Sequence, residues 1–195
     1  MVSGRSDANT GRIRLGMVGG GQGAFIGAVH RLAARMDDQY EFVAGALSAD
    51  VKKAKASAAE LGLAPDRSYA DFRDMAKAEA KRADGIEAVS IVTPNHVHVP
   101  AAMAFIEAGI HVICDKPLAL SLKEAKALEK MLARNPDVIF ALTHNYSGYP
   151  MIRQARAMVA AGAIGWATIR RRSKAPAPEA LTEAERARLD EILKS

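Results

Sequence analysis

Two hydrophobic rhythms alternate along the chain. Arg12 to Val18 is a short, largely apolar run that reads as a strand. After a glycine-rich loop, Phe25, Ala28, Val29, Leu32 and Met36 recur at helical spacing, which predicts a helix with that apolar face turned inward. Glu41 to Leu47 reads as the second strand. Asp50 to Leu61 follows as a helix closed by Gly62, and Tyr69 to Ala83 as another helix, rich in Ala and Lys. Ile86 to Val92 is an apolar strand ending at Thr93-Pro94-Asn95. His96 to Ala108 is helical and closes on Gly109, and Ile110 to Cys114 is a strand running into Asp115-Lys116-Pro117. Ser121 and Glu124 form a capping box for a helix with Leu122, Ala125, Leu128 and Leu132 on one side. Val138 to Leu142 then reads as a strand and Pro150 to Ala161 as a helix.

Strands alternating with helices imply an α/β fold, with helices on both faces of a doubly wound parallel sheet. The strands are mostly continuous apolar runs, as strands covered on both faces should be. This places one α/β domain over residues 12–165, after a polar N-terminus, residues 1–11, expected to be disordered. After Gly165 the pattern changes. Trp166 to Arg172 reads as one more strand, Ala175-Pro176-Ala177-Pro178 as a stiff linker, and Thr182 to Leu193 as a lone helix with a Thr182/Glu185 capping box.

Composition narrows the class. Apolar residues make up 49% and charged residues 25% of 195, which suits a globular chain with one full domain and something left over. The net charge of +5 is partly local, from Arg170, Arg171, Arg172 and Lys174. No basic stripe interleaves with aromatics, so no nucleic-acid partner is expected. One cysteine, Cys114, excludes an intrachain disulfide. No apolar run is long enough for a membrane span, and the N-terminus has no signal-peptide core. A cytoplasmic location is therefore expected. His30, His96, His98, His111 and His144 show no metal-ligand spacing beyond the close pair His96/His98, and no metal is assigned.

Candidate chemistry begins at the loop Gly19-Gly20-Gly21-Gln22-Gly23-Ala24. Between a strand and a helix, such a loop is a dinucleotide-binding fingerprint. Gly19 would permit the turn and Gly21 a close approach to the pyrophosphate. Ala24, or Gly23, would let helix and strand pack closely. Gln22 lies within the same loop, and the helix N-terminus would offer N–H donors to the phosphates. At the end of the second strand an NAD site usually carries an acid on the ribose diol; here Ser48 holds that position, with Asp50 two residues late and Lys52 and Lys53 following. A hydroxyl with a nearby lysine suits a 2′-phosphate, so NADP is expected ahead of NAD. The alternative is that Asp50 merely caps the next helix and the lysines are solvated.

Thr93-Pro94-Asn95-His96-Val97-His98, Cys114-Asp115-Lys116-Pro117-Leu118 and Asn145-Tyr146 together resemble the Gfo/Idh/MocA oxidoreductase family over about residues 12–165. The resemblance implies that Thr93, Pro94 and Asn95 line the cofactor site. It also implies that Asp115 and Lys116 stand in for the family's Glu-Lys-Pro motif, with Lys116 near the nicotinamide and the substrate hydroxyl. Asp115 is one methylene shorter than the usual Glu. Tyr146 matches a position near the substrate pocket. The family's second α/β domain, with its Asp-x-x-x-His motif, has no counterpart in residues 166–195, which therefore read as a truncated start of that domain and a helical tail.

The implied function is hydride transfer between a nicotinamide and a secondary alcohol of a sugar or polyol, with Lys116 assisting the hydroxyl proton. The alternative is a dinucleotide-binding module that does not catalyse. Apolar surface near residues 146–169 leads to an expectation of homo-oligomers.

Overall fold

A computed structural model describes residues 11–162 together with Gly165, Trp166, Ile169 and Arg170. The chain divides into two compact units between His144 and Asn145. Among the described residues, the first holds five strands and five α-helices. They are β1 (Ile13–Gly19), α1 (Phe25–Met36), β2 (Tyr40–Ala46), α2 (Val51–Glu60), α3 (Phe72–Glu79), β3 (Ala88–Val92), α4 (Asn95–Glu107), β4 (His111–Asp115), α5 (Leu122–Arg134) and β5 (Phe140–Thr143). The strands form one sheet in the order β2-β1-β3-β4-β5, and every pair is parallel. This is the expected doubly wound fold. Chain order reverses between β1 and β3, and in open sheets of this kind ligands bind beyond the carboxyl ends at that switch point.

The core follows from strand composition. All five residues of β3 are buried, with Val89 and Ile91 fully so. Phe105, Ile106 and Ala102 of α4 pack there, with Met75 of α3 and Val112 of β4. Helix α4 is apolar on most sides because it is itself largely buried. Helices α2, α3 and α5 begin on side-chain caps from Asp50, Asp71 and Ser121, each accepting from a backbone N–H of the first turn. Asp50 is thus engaged as a helix cap, which was the alternative given for it.

Three expectations change. The apolar stripe of α1 does not face the sheet: Phe25 is 82% exposed and Met36 81%, and Val29 and Leu32 are also exposed. The helix instead seats on Gly27, its one fully buried residue, with His30 and Arg31 one turn on. Second, the helix read over 69–83 is shorter. It starts only after Asp71, because Pro65–Arg67 forms a separate 3-10 turn and Tyr69 N–H bonds to the Gly45 carbonyl instead of to a helix. Third, Trp166 is helical rather than extended, its N–H donating to the Gly162 carbonyl, and Ile169 and Arg170 are helical too.

The second unit holds a 3-10 turn, Asn145–Gly148, and α6 (Pro150–Ala160). The Ala175–Pro178 linker, the Thr182–Leu193 helix and residues 1–10 lie outside the described residues, as do Arg171, Arg172 and Lys174. Among the described residues no helix is long and apolar enough to cross a membrane.

Candidate active site

A cleft of about 530 Å³ opens at the carboxyl ends of β1, β2 and β3. Its floor is the loop after β1, Gly19 to Gln22 and Ala24. One wall is Ser48, Ala49 and Lys53 at the end of β2 and the start of α2. The opposite wall is Thr93, Pro94, His96 and Val97, and Ala70 to Phe72 close the side. Of the residues expected at a cofactor, Gly19, Gly21, Gln22, Ala24, Ser48, Lys53, Thr93 and Pro94 line this cleft. Gly23, Asn95, Asp115 and Lys116 do not, although Asn95 stands between two residues that do.

The glycines divide their work differently from the expectation. Gly21 N–H donates to the Leu47 carbonyl, and a Cβ on Gly21 would meet that oxygen and Ser57 Oγ, each at 2.7 Å. Its bareness serves packing against the β2 end rather than leaving room for a ligand. Gln22 is turned the same way, its N–H bonded to Ser57 Oγ and its amide to Glu60. Gly23 has open space around it. The close approach of helix to loop belongs to Gly27, whose Cβ would overlap the Gly20 backbone. Gly27 thus takes the packing role expected of Ala24 or Gly23, and Ala24 is the N-cap residue of α1.

The cleft suits an anionic ligand with ribose hydroxyls. Helices α1 and α4 start at its edge, and neither has a side-chain cap or an acidic residue in its first turn. In contrast to α2, α3 and α5, no side chain caps their first N–H groups or answers their positive dipole ends. Thr93 Oγ1, in the wall between them, is buried without a hydrogen-bond partner, a costly state that a ligand hydroxyl or phosphate would relieve. A dinucleotide fits this donor set: α1 and the glycine loop for the pyrophosphate, the β2 end for the adenosine ribose, and Thr93 and Pro94 for the other half. Among the described residues no group of three or more His, Cys, Asp or Glu could hold a metal ion.

The β4 end is built from below. Asp115 Oδ1 accepts from Thr143 Oγ1 at 2.9 Å and lies 4.0 Å from His30 Nε2, so this carboxylate is held between β5 and α1. Burial pushes the neighbouring Cys114 thiol up to about 12, with the Asp115 charge acting the same way. Lys116 is exposed and makes no hydrogen bond or ion pair among the described residues. Tyr146 belongs to the second unit, in the Asn145–Gly148 turn, where it is exposed and stacks edge-to-face on Tyr149 at 5.6 Å.

His30 Nδ1 sits 2.8 Å from Ser90 Oγ on the sheet side of α1. Burial lowers its pKa below the usual 6.5, and the weaker pull of Asp115 opposes this. The unfolded chain therefore takes up the proton first. The stability contributed by the neutral ring is present above the ordinary pKa and is lost as pH falls below it. Equilibrium unfolding followed from about pH 7.5 down to about 5.5 should show stability falling, and His30→Gln should flatten that slope.

Residues 13–143 match the model of the oxidoreductase family with an NAD-binding Rossmann fold, Gfo/Idh/MocA. The chain belongs to the Gfo/Idh/MocA family. Among its relatives, the uncharacterized oxidoreductase YfiI of Bacillus subtilis is 41% identical over 154 residues, which are 78% of this chain and 39% of that protein. A crystal structure of an oxidoreductase from Sinorhizobium meliloti is 64% identical, with a TM-score of 0.72, over 77% of this chain and 42% of the other. An inositol dehydrogenase homologue from Azotobacter vinelandii, solved with NADH and myo-inositol, is 42% identical, with a TM-score of 0.73, over 78% of this chain and 40% of the other. The chain therefore spans about two-fifths of the length of these family members. Sequence reasoning missed the roles of four features of this domain: Gly27, His30, His98 and the Ala70–Phe72 wall. Asp71 gave a signal as a helix N-cap just before an amphipathic stretch, and His98 stood inside the Thr93–His98 segment without its role being legible.

Proposed function

We propose that this chain binds a dinucleotide in the cleft between α1, α2 and α4 and is the nucleotide-binding domain of an oxidoreductase acting on a secondary alcohol of a sugar or polyol. The observation that carries the reading is the pair of uncapped helix starts flanking a buried, partnerless Thr93 hydroxyl. When bound, the nicotinamide supplies hydride chemistry. The chain's own part is to hold the pyrophosphate on the α1 start and to offer Thr93 and Pro94 to the nicotinamide half. Lys116, exposed at the neighbouring strand end, is the group that would carry or orient the substrate hydroxyl proton. Tyr146 is proposed on the substrate side. A polyol is favoured by the inositol dehydrogenase homologue solved with myo-inositol.

For the cofactor, NADP is favoured over NAD. Ser48 and Lys53 line the β2 end of the cleft, while Asp50, the carboxylate that follows Ser48 in the chain, accepts from Lys53 N–H as a helix cap. Ser48 Oγ itself accepts from Asp50 N–H at 3.1 Å, which leaves its own proton to donate to a phosphate. Fluorescence titration should show binding of both NADPH and NADH, with NADPH the tighter. Lys53→Ala should weaken NADPH by about tenfold and leave NADH nearly unchanged, the loss of one charge-assisted phosphate contact. Equal loss for both would remove the NADP assignment, and failure of both dinucleotides to bind would remove the function.

A further inference from the structure

Lys116 is not held by its own side chain, so its place is set by the backbone on either side. On the amino side, Asp115 is fixed by Thr143. On the carboxyl side stands Pro117, and its carbonyl is taken by a histidine from another helix. His98, in the first turn of α4 and 1% exposed, has Nδ1 2.8 Å from the Pro117 oxygen and Nε2 3.0 Å from the Thr93 oxygen. One ring thus spans two turns: the turn after β3, which lines the cleft, and the turn after β4, which carries Lys116.

Both partners are carbonyl oxygens and can only accept. A neutral imidazole has one N–H and serves one of them; the imidazolium serves both. The imidazolium links the turns by hydrogen bonds to both; the neutral ring bonds one carbonyl and packs against the other. A side chain of equal bulk without N–H groups would fill the space and release the link.

We propose that His98 is a positioning residue: it holds the Lys116–Pro117 turn against the Thr93 turn, which lines the cleft, so that Lys116 is kept at the strand end beside a bound dinucleotide. The role rests on the reading of the cleft as a dinucleotide site. It predicts that a bound dinucleotide shields Lys116 and that the shielding depends on His98.

The test uses the full chain. Lysine acylation by a succinimidyl ester is followed at Lys116 by mass spectrometry, with and without saturating NADPH, alongside the NADPH Kd and the melting temperature. In the wild type, NADPH should slow Lys116 acylation about tenfold, the shielding expected when a group is shut against a ligand rather than left in water. His98→Phe, still folded, should lose that protection and bind NADPH about tenfold more weakly, because the phenyl ring fills the space but donates to neither carbonyl. His98→Asn keeps one amide donor and should retain partial protection, a rescue that bulk alone does not provide. Should the Phe variant not fold, the Asn variant decides, and wild-type protection in it overturns the role. Protection and Kd unchanged in a folded Phe variant overturn it as well. Wild-type binding of NADPH without protection of Lys116 sinks this role and leaves the cleft reading standing. A wild-type chain that binds neither dinucleotide sinks both.

Discussion

Glu79→Leu is expected to destabilise the chain by about 3–5 kcal/mol, the usual result of removing one member of a buried ion pair. Glu79 is fully buried. Its Oε2 accepts from Arg67 Nη2 at 2.6 Å and from the Ile86 N–H at 3.1 Å, and its Oε1 accepts from the Tyr69 hydroxyl at 2.7 Å. Burial and the Glu79 hydrogen bond hold the Tyr69 hydroxyl well above its ordinary pKa, with the Glu79 charge adding to both. Removing the carboxylate leaves the Arg67 guanidinium in the interior with only Asp84, at 3.2 Å, to answer it. Charge burial without a partner costs far more than the lost methylene packing gains. A loss of this size is a large part of the total stability of an ordinary domain and should lower the melting temperature by roughly 10 °C. The double variant Arg67→Met with Glu79→Leu should lose less than Glu79→Leu alone, since the orphaned charge is gone. Urea unfolding of the four-member cycle reads this directly, and strict additivity would mean that the pair carries no coupling.

That network shows where the sequence was legible and where it was not. The alternation of apolar runs and amphipathic stretches located every strand and helix of the first unit to within a few residues, because parallel strands buried on both faces must be apolar throughout. Glycine and Ser/Asp/Asn caps marked most boundaries for the same kind of reason. Glu79 was not legible. In a stretch rich in Ala and Lys it looks like any solvated helix residue, and its partners Arg67 and Tyr69 lie 12 and 10 positions away. The face of α1 was misjudged because periodicity finds the apolar stripe, not the side that packs. That side is set by a residue with no side chain at all. At the site, motif positions were readable and orientations were not: Asp115 sits where the motif expects a carboxylate, yet it is tied to Thr143 beneath the sheet end. The His98 link joins turns 24 positions apart in numbering, at Thr93 and Pro117, and neither hydrophobic period nor spacing reports such a contact.

Gly27→Ala should nearly abolish dinucleotide binding, although it improves helix propensity by about 1 kcal/mol. The reason is steric. A Cβ at residue 27 would overlap Gly20 Cα and stand 2.7 Å from the Gly20 oxygen, and these are backbone atoms that cannot rotate aside. Gly20 is itself in the left-handed region, at φ +73°, and its carbonyl already accepts from Arg31 Nη1 at 2.8 Å. The loop therefore has little room to retreat, and α1 must lift from it. Overpacking of this kind costs about 1–3 kcal/mol, partly offset by the propensity gain, so the net stability loss should be modest. Binding should suffer more. The α1 start presents its N–H groups to the pyrophosphate only where the loop and helix are seated together, and a displacement of about 1 Å is enough to lose on the order of 100-fold. Gly23 supplies the contrast. It is also left-handed, at φ +75°, but nothing stands within 4 Å of where its Cβ would be. Gly23→Asn, a residue that tolerates this conformation, should keep both stability and affinity close to wild type. Calorimetric titration of NADPH into the two variants separates the explanations. If Gly27→Ala binds as well as Gly23→Asn, the seat of α1 on Gly20 does not govern the site.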